Sequence, residues 1–298
     1  DAAVGSAFGL TSIYEVYLKA VREHSLKASV VGALWWERDR GAEQISDLID
    51  RRSQGSAGRF RPTSVKVMQD GVAENFTAAM TESYLDGCGC LTDNSGISFV
   101  DPDELLNYVT LLDAADFQVH FHALGDRAVR EALNAVEAAR LTNGPRDNRH
   151  HLAHLQVVHP DDLARFAALD ATANIQSLWA VHEAQMDDLT IPFLGERRAA
   201  WQYPFGALQA AGARLASGSD WPVSSPDPLA AIHVAVNRTS PDEPHAKPFF
   251  PENRIDLATA LSSYTAGSAW VNHRDLSSCQ LRIGSQADVV VLDRDPFD

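Results

Sequence analysis

The sequence predicts an α/β protein in which helices cover a parallel β-sheet. Six apolar, β-rich runs alternate along the chain with segments whose apolar residues recur at helical spacing. This repeated order is typical of parallel sheets, because a crossover helix returns the chain to the same end of the sheet. At 298 residues the chain is long enough for one large barrel or two ordinary domains. The pattern alone leaves open whether the sheet is open and doubly wound or closed into a barrel.

The predicted strands and helices follow one another in order along the chain. The strand-like runs are 27–36, 64–69, 116–124, 149–158, 171–179 and 213–220. The helical segments include 14–24, 101–116, 125–141, 159–169 and 203–212. Two helix starts are well marked, since Asp101-Pro102 and His159-Pro160 place a proline in the first helical turn, where its missing N–H is not needed.

Two segments lie outside this alternation. Residues 237–255 carry four prolines and no periodicity, so we expect a long loop, either a plain connector or a lid. Near residue 281 the chain changes to a Gly-Ser turn and a short β run, ADVVVLD, with no helix after it. We therefore predict a main domain over residues 1–280 and the beginning of a second, all-β unit over residues 281–298.

Composition excludes several classes of function. Hydrophobic residues make up 45% and charged residues 22%, the profile of a soluble globular protein. A net charge of −15, with no Lys/Arg-rich block, argues against binding nucleic acid or an anionic membrane. The sequence contains no run of about 18 apolar residues, the length needed to span a bilayer. The first residues lack the charged-then-apolar layout of a signal peptide.

The cysteines point to a reducing compartment. Three cysteines cannot form a fully paired disulfide framework, so a cytoplasmic location is expected. Cys88 and Cys90, in the stretch DGCGC, are interpreted as small residues of a glycine-rich loop; a metal or redox pair is the alternative.

A lysine interrupts the second predicted strand, SVKVMQDG, which ends in an Asp-Gly turn. A buried ammonium is costly unless it is paired or neutralised, so lysine usually lies at a strand end or faces water. Lys66 is therefore either an edge residue whose amine reaches solvent or a functional group. A neutral buried amine can take up CO₂ to form a carbamate, whose two oxygens can bridge two metal ions.

Side chains that bind metals stand near the ends of three further predicted strands. His120 and His122 lie two residues apart and so share a face of one strand, while His151 and His154 belong to the next, and Asp220 ends the last. Active-site residues collect at the carboxyl edge of parallel sheets. Imidazole and carboxylate groups are ligands that zinc prefers. The sequence thus predicts a metal site at this edge, although each histidine alone could be structural and the aspartate a turn or helix-cap residue.

Seven stretches, taken in order, resemble a known family. They are VKVMQDGVAENFTAAMTESY, VHFHALGDRAV, RHHLAHLQVVHPDDLARFAAL, NIQSLW, ASGSDWPVSSPDPLAAIHVAVNR, LATALSSYTAGSAW and GSQADVVVLDRDP. Together they resemble the amidohydrolase superfamily, and within it the amidohydrolase-3 group of YtcJ-like and N-substituted formamide deformylase-like metal-dependent hydrolases. The resemblance implies a distorted (β/α)8 TIM-type barrel with a small β-sandwich domain built from both chain ends.

The resemblance also implies a set of metal ligands. Lys66 corresponds to a carbamylated lysine that bridges metals, and His122 and His154 correspond to ligands on the following two strands. Asp220 corresponds to an aspartate that contacts a metal and acts as the general base toward the bound water. These four residues would form the catalytic centre.

Four further residues are expected around that centre. His120 is expected beside the ligands as a hydrogen-bonding partner, with direct metal binding as the alternative. Gln176, Trp179 and Trp221 match positions that line the substrate cleft, or they pack at the mouth of the barrel.

One feature of the family is missing. The first barrel strand of the family carries a His-x-His pair, and no such pair precedes Lys66, since the only earlier histidine is His24 in a helical pattern. We assign residues 8–15, FGLTSIYE, to the second barrel strand, so that the first strand is lacking and only a remnant of the sandwich remains at residues 281–298. We expect the chain to belong to a longer polypeptide; loss of one metal site is the alternative.

The expected function is hydrolysis of a carbon–nitrogen bond in a small amide or formamide by a metal-activated water. One or two Zn²⁺ ions, or iron or manganese, and a carbamate on Lys66 formed from CO₂ are the expected cofactors. A homodimer is the commonest assembly to expect. The rival is a non-catalytic binding or regulatory protein on the same barrel, which the missing His-x-His pair favours. A nucleotide-binding protein is a weaker third interpretation, because no glycine-rich phosphate loop joins a strand to a helix.

Overall fold

The computed structural model describes residues 12–297, which contain one six-stranded sheet. All neighbouring strands are parallel and lie in sequence order. The strands are β1 (Val30–Trp35), β2 (Phe60–Met68), β3 (Gln118–Ala123), β4 (His151–His154), β5 (Thr172–Ile175) and β6 (Arg214–Ser217). Each overlaps one of the predicted strand segments, so the parallel α/β sheet is confirmed.

Helices follow or connect these strands. They are α1 (Ile13–Arg22), α2 (Gln44–Gly55), α3 (Pro102–Ala114), α4 (Asp126–Asn143), α5 (Leu163–Leu169), α6 (Ala184–Leu189), α7 (Ile191–Ala199), α8 (Phe205–Ala210), α9 (Pro228–Asn237), α10 (Leu257–Ser262) and α11 (Ser268–Val271). The predicted start of α3 is confirmed, because the Asp101 carboxylate accepts hydrogen bonds from the first free amides. None of the helices within residues 12–297 is both long and apolar enough to cross a bilayer.

The sheet curls, so that all six strands line one interior cavity. Val31 and Ala33 of β1 face the same cavity as Ala216 and Ser217 of β6. Successive strands twist, and about eight are needed to close a small barrel filled by side chains. Within the described chain β1 and β6 do not pair with each other. The parallel sheet is therefore consistent with the TIM-type fold that the resemblance implies, whereas closure of a barrel is not observed within residues 12–297.

The predicted second barrel strand is wrong where the structure describes it. Residues 8–11 lie outside the described residues, and the remainder of the segment enters α1. The Ser12 hydroxyl accepts a hydrogen bond from the Glu15 amide and caps this helix. Tyr17 then stacks on Phe60 of β2, with 5.1 Å between ring centroids. Packing of one helical face therefore outweighs the β propensity of this apolar run.

The strand that carries the predicted histidines is buried on both faces. His120 lines the cavity of the sheet, and alternation turns Val119 and Phe121 to the opposite face. Both of these side chains are completely buried in the core, as are Leu112 and Leu133 of the covering helices. The apolar outer layer thus holds the strand and fixes which side chains point inward.

The carboxyl-terminal tail does not form the predicted strand. Residues 286–292 are irregular, and Val290 and Val291 are 85% and 92% exposed. A β run becomes a strand only where a neighbour accepts its backbone hydrogen bonds, and none of the six strands pairs with it. The division of the chain between residues 280 and 281 therefore stays a prediction.

The predicted long loop is confirmed over most of its length. After α9 ends at Asn237, the chain forms only the short turn Pro251–Asn253 before α10 begins. Arg238 is completely buried, and its Nε donates a hydrogen bond to the Phe249 carbonyl oxygen at 2.8 Å. These contacts anchor the loop against the core, as expected for a connector.

Leu112→Ala is expected to lower the free energy of unfolding by about 2–5 kcal/mol, because it removes a completely buried side chain of α3. Leu141→Ala on α4 is the matched control, since Leu141 is 82% exposed and its loss should change the free energy by at most about 0.5 kcal/mol. Urea denaturation followed by circular dichroism measures both. Equal unfolding midpoints would contradict the packing of α3 on the sheet.

Candidate functional site

A cleft of about 790 Å³ opens beyond the carboxyl ends of β2 to β6. Two predicted site residues, His122 and Trp179, contact a third, His154, with ring centroids 4.5 and 5.4 Å from its own. The structure thus brings all the predicted residues to one place, while their roles stay predictions. The predicted residues that line the cleft are Lys66, His120, His154, Gln176, Asp220 and Trp221.

Lys66 is buried in this cleft and is only 2% exposed. It lies opposite His120 in the register of β2 and β3, which brings its Nζ to 3.0 Å from His120 Nε2. Burial lowers the pKa of Lys66 to about 8, and the negative charge of Asp220 opposes that change. The interpretation of Lys66 as an edge residue in water is therefore wrong, because β2 is an inner strand and its amine is enclosed.

Burial keeps the surrounding histidines uncharged. It lowers the pKa of His122 to about 4 and that of His151 to about 3, with the charge of Lys66 adding to both changes. The pKa values of His120 and His154 also lie well below the usual range, again chiefly because of burial. A neutral imidazole has one nitrogen lone pair free to bind a metal or accept a proton.

Gln176 fixes the backbone at the end of β4. Its Oε1 accepts a hydrogen bond from the His154 amide at 2.7 Å, and its Nε2 donates to Asn174 Oδ1 at 2.8 Å. The chain turns out of the strand here, since φ of His154 is 80°. Nδ1 of His154 is buried and has no hydrogen-bond partner among the described residues. Buried polar atoms are rarely left unsatisfied, so this nitrogen is suited to an ion or ligand.

Asp220 follows β6 in a tight turn with φ of 55°, where its carbonyl accepts a hydrogen bond from the Val223 amide at 2.8 Å. Its carboxylate does not cap the next helix, because Asp227 occupies that position in α9. The carboxylate lines the cleft, where burial raises its pKa and the charge of Lys66 lowers it. Asp220 is thus close enough to Lys66 for each charge to stabilise the other.

Asp70 is an important residue that the sequence reasoning missed. Its buried carboxylate accepts hydrogen bonds from the amides of Ala79, Leu124 and Gly125 at 2.8–3.0 Å. It also lies 3.9 Å from His122 Nε2. Asp70 thereby ties the end of β2 to the turn after β3, and burial raises its pKa to about 7. The only hint in the sequence was the position of Asp70 just after the strand that carries Lys66. It was missed because Asp70-Gly71 has the sequence of an ordinary turn.

The donor set fits a metal only if Lys66 is modified. Among residues 12–297, no group of three or more His, Cys, Asp or Glu side chains is arranged to hold a metal ion. Cys88 and Cys90 are exposed free thiols. Two imidazoles are available as ligands, because the ring of His122 lies beside that of His154, whose Nδ1 has no hydrogen-bond partner among the described residues. Because an ammonium has no lone pair, only carbamylation would turn Lys66 into an oxygen ligand.

A sequence model described as "Amidohydrolase family" matches residues 3–298. The chain belongs to the amidohydrolase family. Among curated relatives, "Protein LONG AFTER FAR-RED 3" of Arabidopsis thaliana is 34% identical over 235 residues, 78% of this chain and 39% of that protein. "Putative amidohydrolase YtcJ" of Bacillus subtilis (strain 168) is 28% identical over 234 residues, 78% of this chain and 42% of that protein. The family resemblance expected from the motifs is confirmed.

Two more relatives and one solved structure extend the comparison. "N-substituted formamide deformylase" of Arthrobacter pascens is 24% identical over 85% of this chain and 44% of that protein. "Exoenzymes regulatory protein AepA" of Pectobacterium carotovorum subsp. carotovorum is 28% identical over 60% of this chain and 37% of that protein. An uncharacterized metal-dependent hydrolase from Pyrococcus furiosus aligns with a TM-score of 0.75 and 27% identity over 95% of this chain and 54% of that chain. The chain thus spans about two fifths of the curated relatives and about half of the solved structure.

Gln176→Ala is expected to lower the free energy of unfolding by about 1–3 kcal/mol, because the buried amide of His154 loses its acceptor. Gln209→Ala is the matched control. Gln209 is exposed on α8, its Nε2 donates a hydrogen bond to Thr259 Oγ1, and its loss should change the free energy by at most about 0.5 kcal/mol. Urea denaturation compares the two. Equal stability of both variants would show that Gln176 does not hold the turn at His154.

Proposed function

We propose that this chain is part of a metal-dependent hydrolase that cleaves a carbon–nitrogen bond in a small amide or formamide-like molecule. The observation that carries the proposal is the buried amine of Lys66, enclosed in the same cleft as His154 and Asp220. Family membership and the metal-dependent hydrolase from Pyrococcus furiosus support hydrolysis. N-substituted formamide deformylase supports the type of bond.

The metal would be held by groups from four strands or their ends. Lys66, carbamylated by CO₂, would contribute oxygens, while His122 and His154 would contribute ring nitrogens and Asp220 a carboxylate oxygen. Zinc suits this set, with iron or manganese as alternatives. When bound, such a metal lowers the pKa of a water to about 7 and polarises a carbonyl group. His120, 3.0 Å from Lys66 Nζ, would orient the modified lysine by a hydrogen bond.

Asp220 would move the proton during the reaction. Its carboxylate would accept a proton from the attacking water and later deliver one to the leaving nitrogen, so that the amine departs uncharged. The side chain lines the cleft and does not cap the helix that follows β6, which supports this assignment. Gln176 and Trp221 line the same cleft and Trp179 stacks on His154, so these residues would orient the substrate and exclude water.

A regulatory protein without catalysis is the second candidate. One relative bears the name of an exoenzymes regulatory protein, and this is the observation that favours it. The two candidates differ in whether the cleft holds a metal and turns over an amide. We also propose a small-molecule substrate, a homodimer and a cytoplasmic location for the hydrolase.

Metal content separates the two candidates. Elemental analysis of protein expressed from the full gene should find about one or two metal ions per chain. The metal should fall sharply in Lys66→Ala, because the carbamate ligand is lost, and should persist in Lys19→Ala, a change of an exposed lysine on α1. A ¹³C-bicarbonate experiment should show a carbamate resonance that Lys66→Ala lacks. A parent protein without metal would favour the regulatory candidate.

Asp220→Asn should retain metal, because Lys66, His122 and His154 would remain as ligands. Its kcat for amide hydrolysis should fall by about 10²–10⁴-fold, because a carboxamide cannot accept the proton. Release of amine from a panel of amides and formamides measures kcat, and elemental analysis measures the metal. Asp47→Asn, on the exposed surface of α2, is the control and should leave kcat unchanged. Near-normal turnover by Asp220→Asn would contradict its role as the base.

A further inference from the structure

A second pocket, of about 380 Å³, adjoins the cleft, and we call it the side pocket. Val223 lines both spaces. Trp179 lines the side pocket and stacks on His154 of the cleft, with 16° between the ring planes. A molecule whose reacting carbonyl group lies near His154 can therefore extend past the indole into the side pocket.

Two carboxylates give the side pocket a negative charge. Glu74 follows β2 and Glu183 precedes α6, and both line it. Burial and then the charge of Glu74 raise the pKa of Glu183, so each carboxylate lies within the field of the other. The pKa of Tyr203, a third lining residue, is raised by burial first and by Glu74 next. The only hydrogen bond that Glu74 accepts in the described chain, from Thr190 Oγ1, is long at 3.5 Å.

A buried amide gives independent evidence for a ligand. Gln156 lines the side pocket and is 1% exposed. Its Nε2 donates to Gln202 Oε1 at 3.3 Å, while its Oε1 has no hydrogen-bond partner among the described residues. A buried acceptor without a donor lowers stability, and a ligand N–H placed in the side pocket would satisfy it. The side pocket therefore contains hydrogen-bond acceptors, and a ligand with N–H donors would complement them.

The remaining wall suits the apolar body of a cation. Trp179, Tyr203 and Met186 line the side pocket, and aromatic faces attract ammonium groups. No Lys, Arg or His of the described residues lines it. The nearby Arg238 donates from Nε to the Phe249 carbonyl and from Nη1 to the Tyr203 carbonyl, while its buried Nη2 has no hydrogen-bond partner among the described residues. A net charge of −15 adds a long-range attraction for cations.

We propose that the side pocket binds an ammonium group, so that the substrates are amides that carry a second, cationic amine on an apolar spacer. Glu74 and Glu183 would pair with the charge, and Gln156 Oε1 would accept one of its N–H groups. The assignment of substrate class rests on the proposed hydrolase function, whereas binding of the cation does not.

Isothermal titration calorimetry of the metal-loaded full-length protein tests this with two probes of the same shape, phenethylammonium and neutral phenethyl alcohol. The cation should bind about fivefold to tenfold more tightly than the alcohol, and added salt should weaken binding of the cation but not binding of the alcohol. The double variant Glu74→Gln/Glu183→Gln should lose this preference while its affinity for the alcohol stays the same. Glu196→Gln, an exposed change on α7, should keep the preference.

Equal affinity of the parent protein for both probes would overturn the proposal, and so would a preference that persists in the double variant. The proposed function fails separately. If no amide is hydrolysed but the double variant still abolishes the cation preference, the side pocket proposal stands and the hydrolase proposal falls. If neutral amides are hydrolysed and no cation preference exists, the hydrolase proposal stands and the side pocket proposal falls.

Discussion

The site depends on the register between β2 and β3, which places Lys66 directly opposite His120. Side chains alternate along a strand, so a slip of one residue would drive the lysine into the apolar helix layer. Val65 and Val67 occupy that layer and are almost completely buried, which makes the slip prohibitive. The same alternation sends the histidines of β3 inward. An apolar outer face therefore specifies a polar interior, and the position of the amine follows from hydrophobic packing.

Much of this arrangement could be predicted from the sequence, because it depends on local patterns. Strand positions follow from apolar runs, and residues at the carboxyl ends of parallel strands must meet at one edge. The failures concern longer-range effects. Residues 13–15 belong to α1 because Tyr17 stacks on Phe60, a contact between segments far apart in the chain. The role of Asp70 depends on amides of two other loops, which no local pattern reveals.

The candidate metal site also shows why geometry and chemistry have to be considered together. The described side chains alone provide two adjacent imidazoles and too few further ligands of the usual types. The missing ligand would come from a covalent change at Lys66, which depends on dissolved CO₂ as well as on the amino-acid sequence. Burial favours the reactive form of the amine, because it penalises the ammonium. The protein environment, and not only the residue type, decides whether the lysine can become a ligand.

Trp179 separates two spaces with a single ring, and this has a thermodynamic consequence. One face of the indole stacks on His154, and the same residue lines the side pocket. A ligand that orders the indole from one side also restricts the imidazole on the other. Coupling of this kind is reciprocal, so an ion bound at the imidazole would change the affinity of the side pocket by the same factor by which the pocket's ligand changes the affinity for the ion. The cleft and the side pocket thus share one aromatic contact, between Trp179 and His154, through which binding in one space would affect the other.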